Sequence, residues 1–170
     1  MFSAFRGLVV ATVLFVACAA PALAQSYGQY WQCAPFAREI SGIQLFGRAA
    51  AWWDQAAGRY DRGNAPRVGS VLSFKSMGKM PAGHVAMVSE VVSERVIRIT
   101  HANWSPINGR RGQIEENVEV MDVSPANDWT QVRVWYAPLG GLGTSSYATN
   151  GFIYATAPRL QLASIQLSSQ

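Results

Sequence analysis

At 170 residues and 18.5 kDa, the chain has room for one domain with a real core and little beyond it. Hydrophobic residues make up 49% and charged ones only 14%, against about 25% charged in an ordinary soluble domain, which excludes an intrinsically disordered chain. The net charge of +4 and pI near 9.4 suit an anionic polymer or envelope, but no Lys/Arg cluster exceeds Arg110-Arg111, so nucleic acid is not an expected partner.

Arg6 precedes an apolar run from Leu8 to Ala20, and Ala22-Leu23-Ala24 follows it. Residues 1–24 are therefore predicted to be a signal peptide, leaving a domain over residues 25–157 and a flexible tail over 158–170. The run is short for a membrane span, and no stretch of about 18 apolar residues follows, so no transmembrane span is expected in the mature chain. The expected location is periplasmic or extracellular. Lipidation at Cys18 is the rival processing, and Phe15-Val16-Ala17 argues against it because the usual leucine at the third residue back is missing. Losing Arg6 with the leader takes the net charge from +4 to +3. Losing Cys18 leaves Cys33 as the single cysteine, with no intramolecular disulfide possible. A lone thiol in an oxidising compartment is a liability unless it is buried or used.

From Tyr30 to Ile40, the residues Phe36, Ala37 and Ile40 recur at helical spacing, with Pro35 tolerated in the first turn and Ser41-Gly42 as a stop. A second helix is predicted from about Arg48 to Ala57, with Trp52 and Trp53 in the core. Strands are predicted at Ser70–Phe74, His84–Val92, Val96–Thr100, Val118–Val123 and Gln131–Tyr136. Leu139–Gly151 is rich in Gly, Ser and Thr and reads as a loop, after which Phe152–Tyr154 returns to the body. Helices first and antiparallel strands afterwards predict an α+β domain, its N-terminal helices packed on one side of a curved antiparallel sheet or half-barrel. No glycine-rich phosphate loop is present, so nucleotide binding has no support.

A cysteine nucleophile needs a thiolate, a base, and a third group that holds the base in the right tautomer. Cys33 opens the first helix, whose positive end would make the thiol more acidic, and a histidine alongside would complete an ion pair. The competing reading is a small buried hydrophobe, the usual fate of a free cysteine. His84, in Gly83-His84-Val85-Ala86, stands at the mouth of a strand as a candidate base or a strand-edge surface residue. His101 and Asn103, in Thr100-His101-Ala102-Asn103-Trp104, share a face if their strand continues, and either could orient a neighbouring imidazole. Tyr30, Trp31 and Trp104 either wall a groove or pack at element ends. Metal catalysis fits poorly, since two histidines and one cysteine make at most three ligands and lack HExxH spacing, and no cofactor is expected. No GxSxG elbow is present for a serine nucleophile.

Taken in order, these segments resemble the CHAP domains, the cysteine- and histidine-dependent amidohydrolase/peptidase branch of the papain-like group. Gln32-Cys33-Ala34-Pro35-Phe36-Ala37-Arg38 is similar to the nucleophile helix of that family, and Gly47–Ala56 to its second helix. Pro66-Arg67-Val68-Gly69 resembles the approach to its first strand, Gly83–Val88 the strand bearing the base, and Asn150–Ile153 the closing segment. The resemblance, over about residues 27–155, implies a papain-like fold with Cys33 as nucleophile and His84 as base. CHAP domains commonly carry a Glu followed two residues later by an Asn, and those places fall here on His101 and Asn103. Asn103 fits, whereas His101 departs from that pattern and resembles the third, histidine member of the NlpC-type enzymes. Which of the two orients the base is open. Gln32 is a candidate oxyanion donor beside the backbone N–H of Cys33, or else a helix-cap or solvent contact. The implied partner is peptidoglycan and the implied reaction hydrolysis of one of its amide bonds, as an amidase or an endopeptidase. The alternatives are a non-catalytic wall-binding relative and an exported toxin-like effector with the same chemistry.

Overall fold

The computed structural model of the protein describes residues 29–155; the expected signal peptide at 1–24 and the expected tail at 158–170 lie outside the described residues. Helices α1 (Cys33–Ser41) and α2 (Trp52–Gln55) precede eight strands. These are β1 (Arg62–Gly63), β2 (Val71–Phe74), β3 (His84–Val91), β4 (Val96–Ala102), β5 (Ile114–Asp122), β6 (Gln131–Tyr136), β7 (Gly141–Leu142) and β8 (Tyr147–Ile153). Strands β2 to β6 follow one another as an antiparallel meander. β8 then closes the sheet on itself, pairing with β2 through Val71↔Ile153 and with β6 through Val132↔Tyr147. The result is a closed, six-stranded antiparallel barrel, with β1 and β7 as short additions on β8 and β6.

This overturns the expected α+β arrangement of N-terminal helices packed on a curved sheet. Strands dominate, and the second helix shrinks to a tight turn at Ala49–Ala51 followed by a single α-turn, Trp52–Gln55. The decisive difference is β8, five of whose seven residues fall in the segment read as a loop. Its Asn150-Gly151 pair, an ordinary turn signal, forms instead a bulge against Ser73 and Phe74, with Gly151 at φ +119°. A Cβ on Gly151 would come 2.6 Å from the carbonyl oxygen of Gly63, so only glycine lets β1 and β8 approach here.

The barrel strands divide their residues between two apolar layers. Leu72, Phe74, Ala86, Val88, Ile97, Ile99, Val120, Val132, Val134 and Phe152 fill the barrel. Val71, Val85 and Ile153, of opposite parity on their strands, point outward into a second cluster with Ala34, Ala37, Ile43, Leu45 and Trp52. Strands buried on both faces lose the polar alternation of a solvated sheet, which is why all of β2 is buried.

Helix α1 begins at Cys33 after an extended Gln32 and ends at Gly42, whose left-handed φ of +73° lets its N–H reach the carbonyl of Arg38. Pro35 falls in the first turn, where its missing N–H has no helical partner to lose. The helix lies against β3 and β4, presenting the small side chains of Ala34 and Ala37 to the outer face beside Val85. Small residues at this contact bring the first turn, and with it Cys33, close to the start of β3.

Candidate active site

The start of β3 and the end of β4 meet at one mouth of the barrel. His84 has the parity of Ala86 and Val88, and His101 that of Ile97 and Ile99, so both imidazoles point inward and are buried. They join each other directly: His84 Nε2 and His101 Nδ1 are 3.0 Å apart. Trp104 packs beneath both rings, with centroids 4.8 Å from His84 and 5.6 Å from His101, and Phe74 meets His84 edge-on at 5.4 Å. Trp104 is thus buried in the barrel, its indole N–H donated to the carbonyl of Trp135 at 3.1 Å, and it supports the histidines rather than walling a groove.

An aromatic floor is a poor solvent for a cation, and the titration of the pair follows from that. Burial, reinforced by the charge of Arg111, lowers His84 to about 3. Burial and the neighbouring His84 hold His101 well below the ordinary imidazole value. Both rings are neutral near pH 7, so the bond between them has one donor and one acceptor.

Cys33 is half-buried at the first position of α1, packed on the outer apolar cluster. Burial pushes its thiol above the ordinary value of 9.0, while backbone hydrogen bonds from Val85, Ala34 and Cys33 itself pull the other way. The gain in acidity expected from the helix start is therefore outweighed by desolvation. The free protein holds a thiol beside a neutral imidazole in place of the expected ion pair. Among the described residues no hydrogen bond links the thiol to His84; the sulfur meets the backbone of Val85, the next residue along. Cysteine-side contacts of this kind often tighten only when substrate is bound.

Asn103 and His101 part company. Strand β4 ends at Ala102, and Asn103 takes a left-handed φ of +65°, which turns its side chain out of the strand's alternation. The carboxamide of Asn103 donates to Gln32 Oε1 at 2.9 Å and accepts from the Tyr30 hydroxyl at 3.3 Å. Of the two, His101 is the one bonded to the His84 ring, while Asn103 fixes Gln32, the residue before the thiol. Among the described residues the Gln32 Nε2 group makes only a long contact, 3.4 Å, to the Tyr30 oxygen, leaving an N–H to donate.

Tyr30 and Trp31 run alongside the loop of Arg110, Arg111 and Gly112 and line a groove of about 430 Å³ with it. The Trp31 N–H bonds the Gly112 carbonyl at 2.9 Å, and the Tyr30 ring lies where a side chain on Gly112 would be, 2.1 Å from its Cβ position. Trp31 itself tilts against Phe36 at 5.5 Å.

Three contributors went unnoticed in the sequence: Gly83, Arg111 as a charge felt by His84, and Glu115, a buried carboxylate 3.9 Å from His101 Nε2. Gly83 was legible as a residue before the histidine but not as a packing site. Glu115 carried no signal, because its inward orientation depends on a bulge.

Residues 24–103 match the family described as CHAP domain. The match spans 80 of the 170 residues, and over that span the sequence is similar to CHAP domains. CHAP domains belong to the papain-like cysteine/histidine amidohydrolase/peptidase group, so the match points to a peptidoglycan-related amidase or peptidase. The match takes in Cys33, His84, His101 and Asn103 and stops before β5. No curated protein matches the sequence. Among the described residues no helix is long and apolar enough to cross a membrane.

Proposed function

We propose that the protein is exported and hydrolyses an amide bond of the peptidoglycan peptide through a thioester on Cys33. The observation that carries the reading is the hydrogen-bonded His84–His101 pair at the barrel mouth, next to the residue whose backbone meets the Cys33 sulfur. With Nε2 of His84 engaged by His101, Nδ1 is the nitrogen left to take the thiol proton. The sulfur then attacks the carbonyl carbon, and the oxyanion is met by the Cys33 N–H and by Gln32 Nε2. Collapse breaks the C–N bond, and His84 returns its proton to the leaving amine. Water, deprotonated by His84, attacks the thioester and releases the acid and the thiol. Because both partners start neutral, proton transfer accompanies attack. Export rests on the leader-like residues 1–24, and the wall peptide as substrate on the family.

Incubating the purified protein with sacculi, alongside Cys33→Ala, tests this by mass spectrometry of the soluble products. Free stem peptides with intact glycan identify an amidase; shortened or uncrosslinked muropeptides identify an endopeptidase. Binding without release by either protein would replace the reading with a wall-binding module.

A further inference from the structure

The pairing of His101 with Glu115 across β4 and β5 is produced by an irregularity. Ile99 pairs with Val118, and continued without a break that register would put Glu116 opposite His101. The ladder instead slips by one residue, Asn117 takes a left-handed φ of +52°, and His101 pairs with Glu115. A one-residue slip exchanges the two faces of a strand. Glu115 is thereby turned inward at 6% exposure while Glu116 stays in solvent.

The buried carboxylate has an unfinished set of contacts. Oε1 accepts the N–H of Ser105 at 2.7 Å, and Oε2 has no hydrogen-bond partner among the described residues. On the other side, His101 Nε2 is also buried without a hydrogen bond among the described residues, 3.9 Å from Glu115 Oε1. Two buried polar atoms left without partners on the two residues of one ladder pair are uncommon in a protein interior, because each is costly alone.

The requirement for a base completes the argument. For His84 Nδ1 to accept the thiol proton, the ring must carry its hydrogen on Nε2 and donate it to His101 Nδ1. His101 must then hold its own hydrogen on Nε2, the atom that faces Glu115. We infer that Glu115 is a positioning residue of the site, acting through His101: its carboxylate keeps the His101 proton on Nε2 and so leaves Nδ1 as the acceptor for His84. The inference rests on the thiol mechanism above for its purpose, but the tautomer it requires is a property of the free protein. The groups facing the pair are Glu115 from β5, Trp104 after β4, Phe74 from β2, and the Arg111 charge on His84.

The test is long-range proton–nitrogen NMR of the imidazoles in the full chain, which has only two histidines. The expected wild-type spectrum at neutral pH shows both rings neutral, each with its proton on Nε2. In Glu115→Leu, the His101 proton is expected to move to Nδ1 in a substantial fraction of molecules. In Glu115→Gln, whose oxygen is retained by the Ser105 N–H, the wild-type tautomer is expected to persist. On sacculi, Glu115→Leu should lower kcat by about tenfold or more with KM little changed, and Gln should restore most of it. A wild-type His101 carrying its proton on Nδ1 overturns the inference without any variant, as does an unchanged tautomer in folded Glu115→Leu. If the tautomers behave as stated and no protein releases wall fragments, the hydrolase reading fails and the positioning of His101 stands.

Discussion

Gly83 lies against the backbone of Ala50 so closely that a Cβ built on it would come 2.7 Å from the Ala50 nitrogen. Its φ is +69°, and Ala50 in turn donates its N–H to the carbonyl of Ala82 at 2.8 Å. The tight turn before α2 is thereby clamped to the residue that leads into His84. Gly83→Ala meets both penalties at once: a left-handed backbone for a residue with a side chain, and a collision with backbone atoms that cannot rotate away. Together these cost about 2–4 kcal/mol, and a lowering of Tm by about 5 °C or more is expected. The displaced His84 should also reduce activity beyond the loss of folded protein. A variant with wild-type Tm and wild-type rate would show that the clamp has no bearing on the base.

The thiol is the second point of test. Burial raises Cys33 above its ordinary value, so the rate of alkylation by iodoacetamide should climb through neutral pH with a midpoint on the alkaline side of 9.0. A preformed ion pair with His84 would instead give fast alkylation that levels off in the acid range. Cys33→Ala should leave the fold intact, since the side chain is half-buried and the backbone groups that meet its sulfur stay in place, and should abolish release from sacculi. An acid alkylation midpoint would put the thiolate back into the resting state and remove the concerted proton transfer.

Both histidines fold in the neutral form, and the sign of the resulting pH dependence is fixed. Their folded values lie below the ordinary 6.5, with His84 at about 3, so between those limits the unfolded chain binds more protons than the folded one. Stability therefore rises with pH across that window and falls as acid is added, up to about two protons per molecule. The upper part of the window, pH 5 to 6.5, lies above the ordinary carboxylate range, so the slope there belongs to the histidines. Urea unfolding measured at intervals from pH 4.5 to 7.5 should show it. A flat stability curve over pH 5 to 6.5 would mean that the rings are solvated and charge as freely as in the unfolded chain.

Much of this architecture was written locally, and the parts that were not share a cause. Gln131–Tyr136 was legible because apolar residues alternate there, and the start of β3 because Gly83 bounds the apolar run Val85–Val88 behind His84. Strand β8 was not, since Tyr147-Ala148-Thr149-Asn150-Gly151 is polar and carries a turn dipeptide; its pairing with β6 and β2 is a long-range fact with no local signature. The alanines at 49–51 promised a longer helix than the close approach of Gly83 permits. In the site, Cys33, His84 and His101 stood out as rare, reactive residues in a familiar order. The choice between His101 and Asn103 did not, because it turns on the backbone angle of Asn103, and Glu115 was hidden by the bulge at Asn117.

Gln32 is the last residue whose role the geometry makes testable. Its Oε1 is fixed by Asn103, and among the described residues its Nε2 makes only a long bond to the Tyr30 hydroxyl, which leaves an N–H to donate one residue before the thiol. As an oxyanion donor it acts only when negative charge develops on the carbonyl oxygen, so its loss should appear in kcat and leave KM nearly unchanged. Gln32→Ala is expected to slow turnover by about 100-fold, with Tm close to wild type because the residue is exposed. Asn103→Ala frees the same carboxamide without removing it, and a smaller loss of kcat is expected. Equal rates for Gln32→Ala and wild type would confine the side chain to holding Tyr30 and Asn103 together and leave the oxyanion to the backbone of α1 alone.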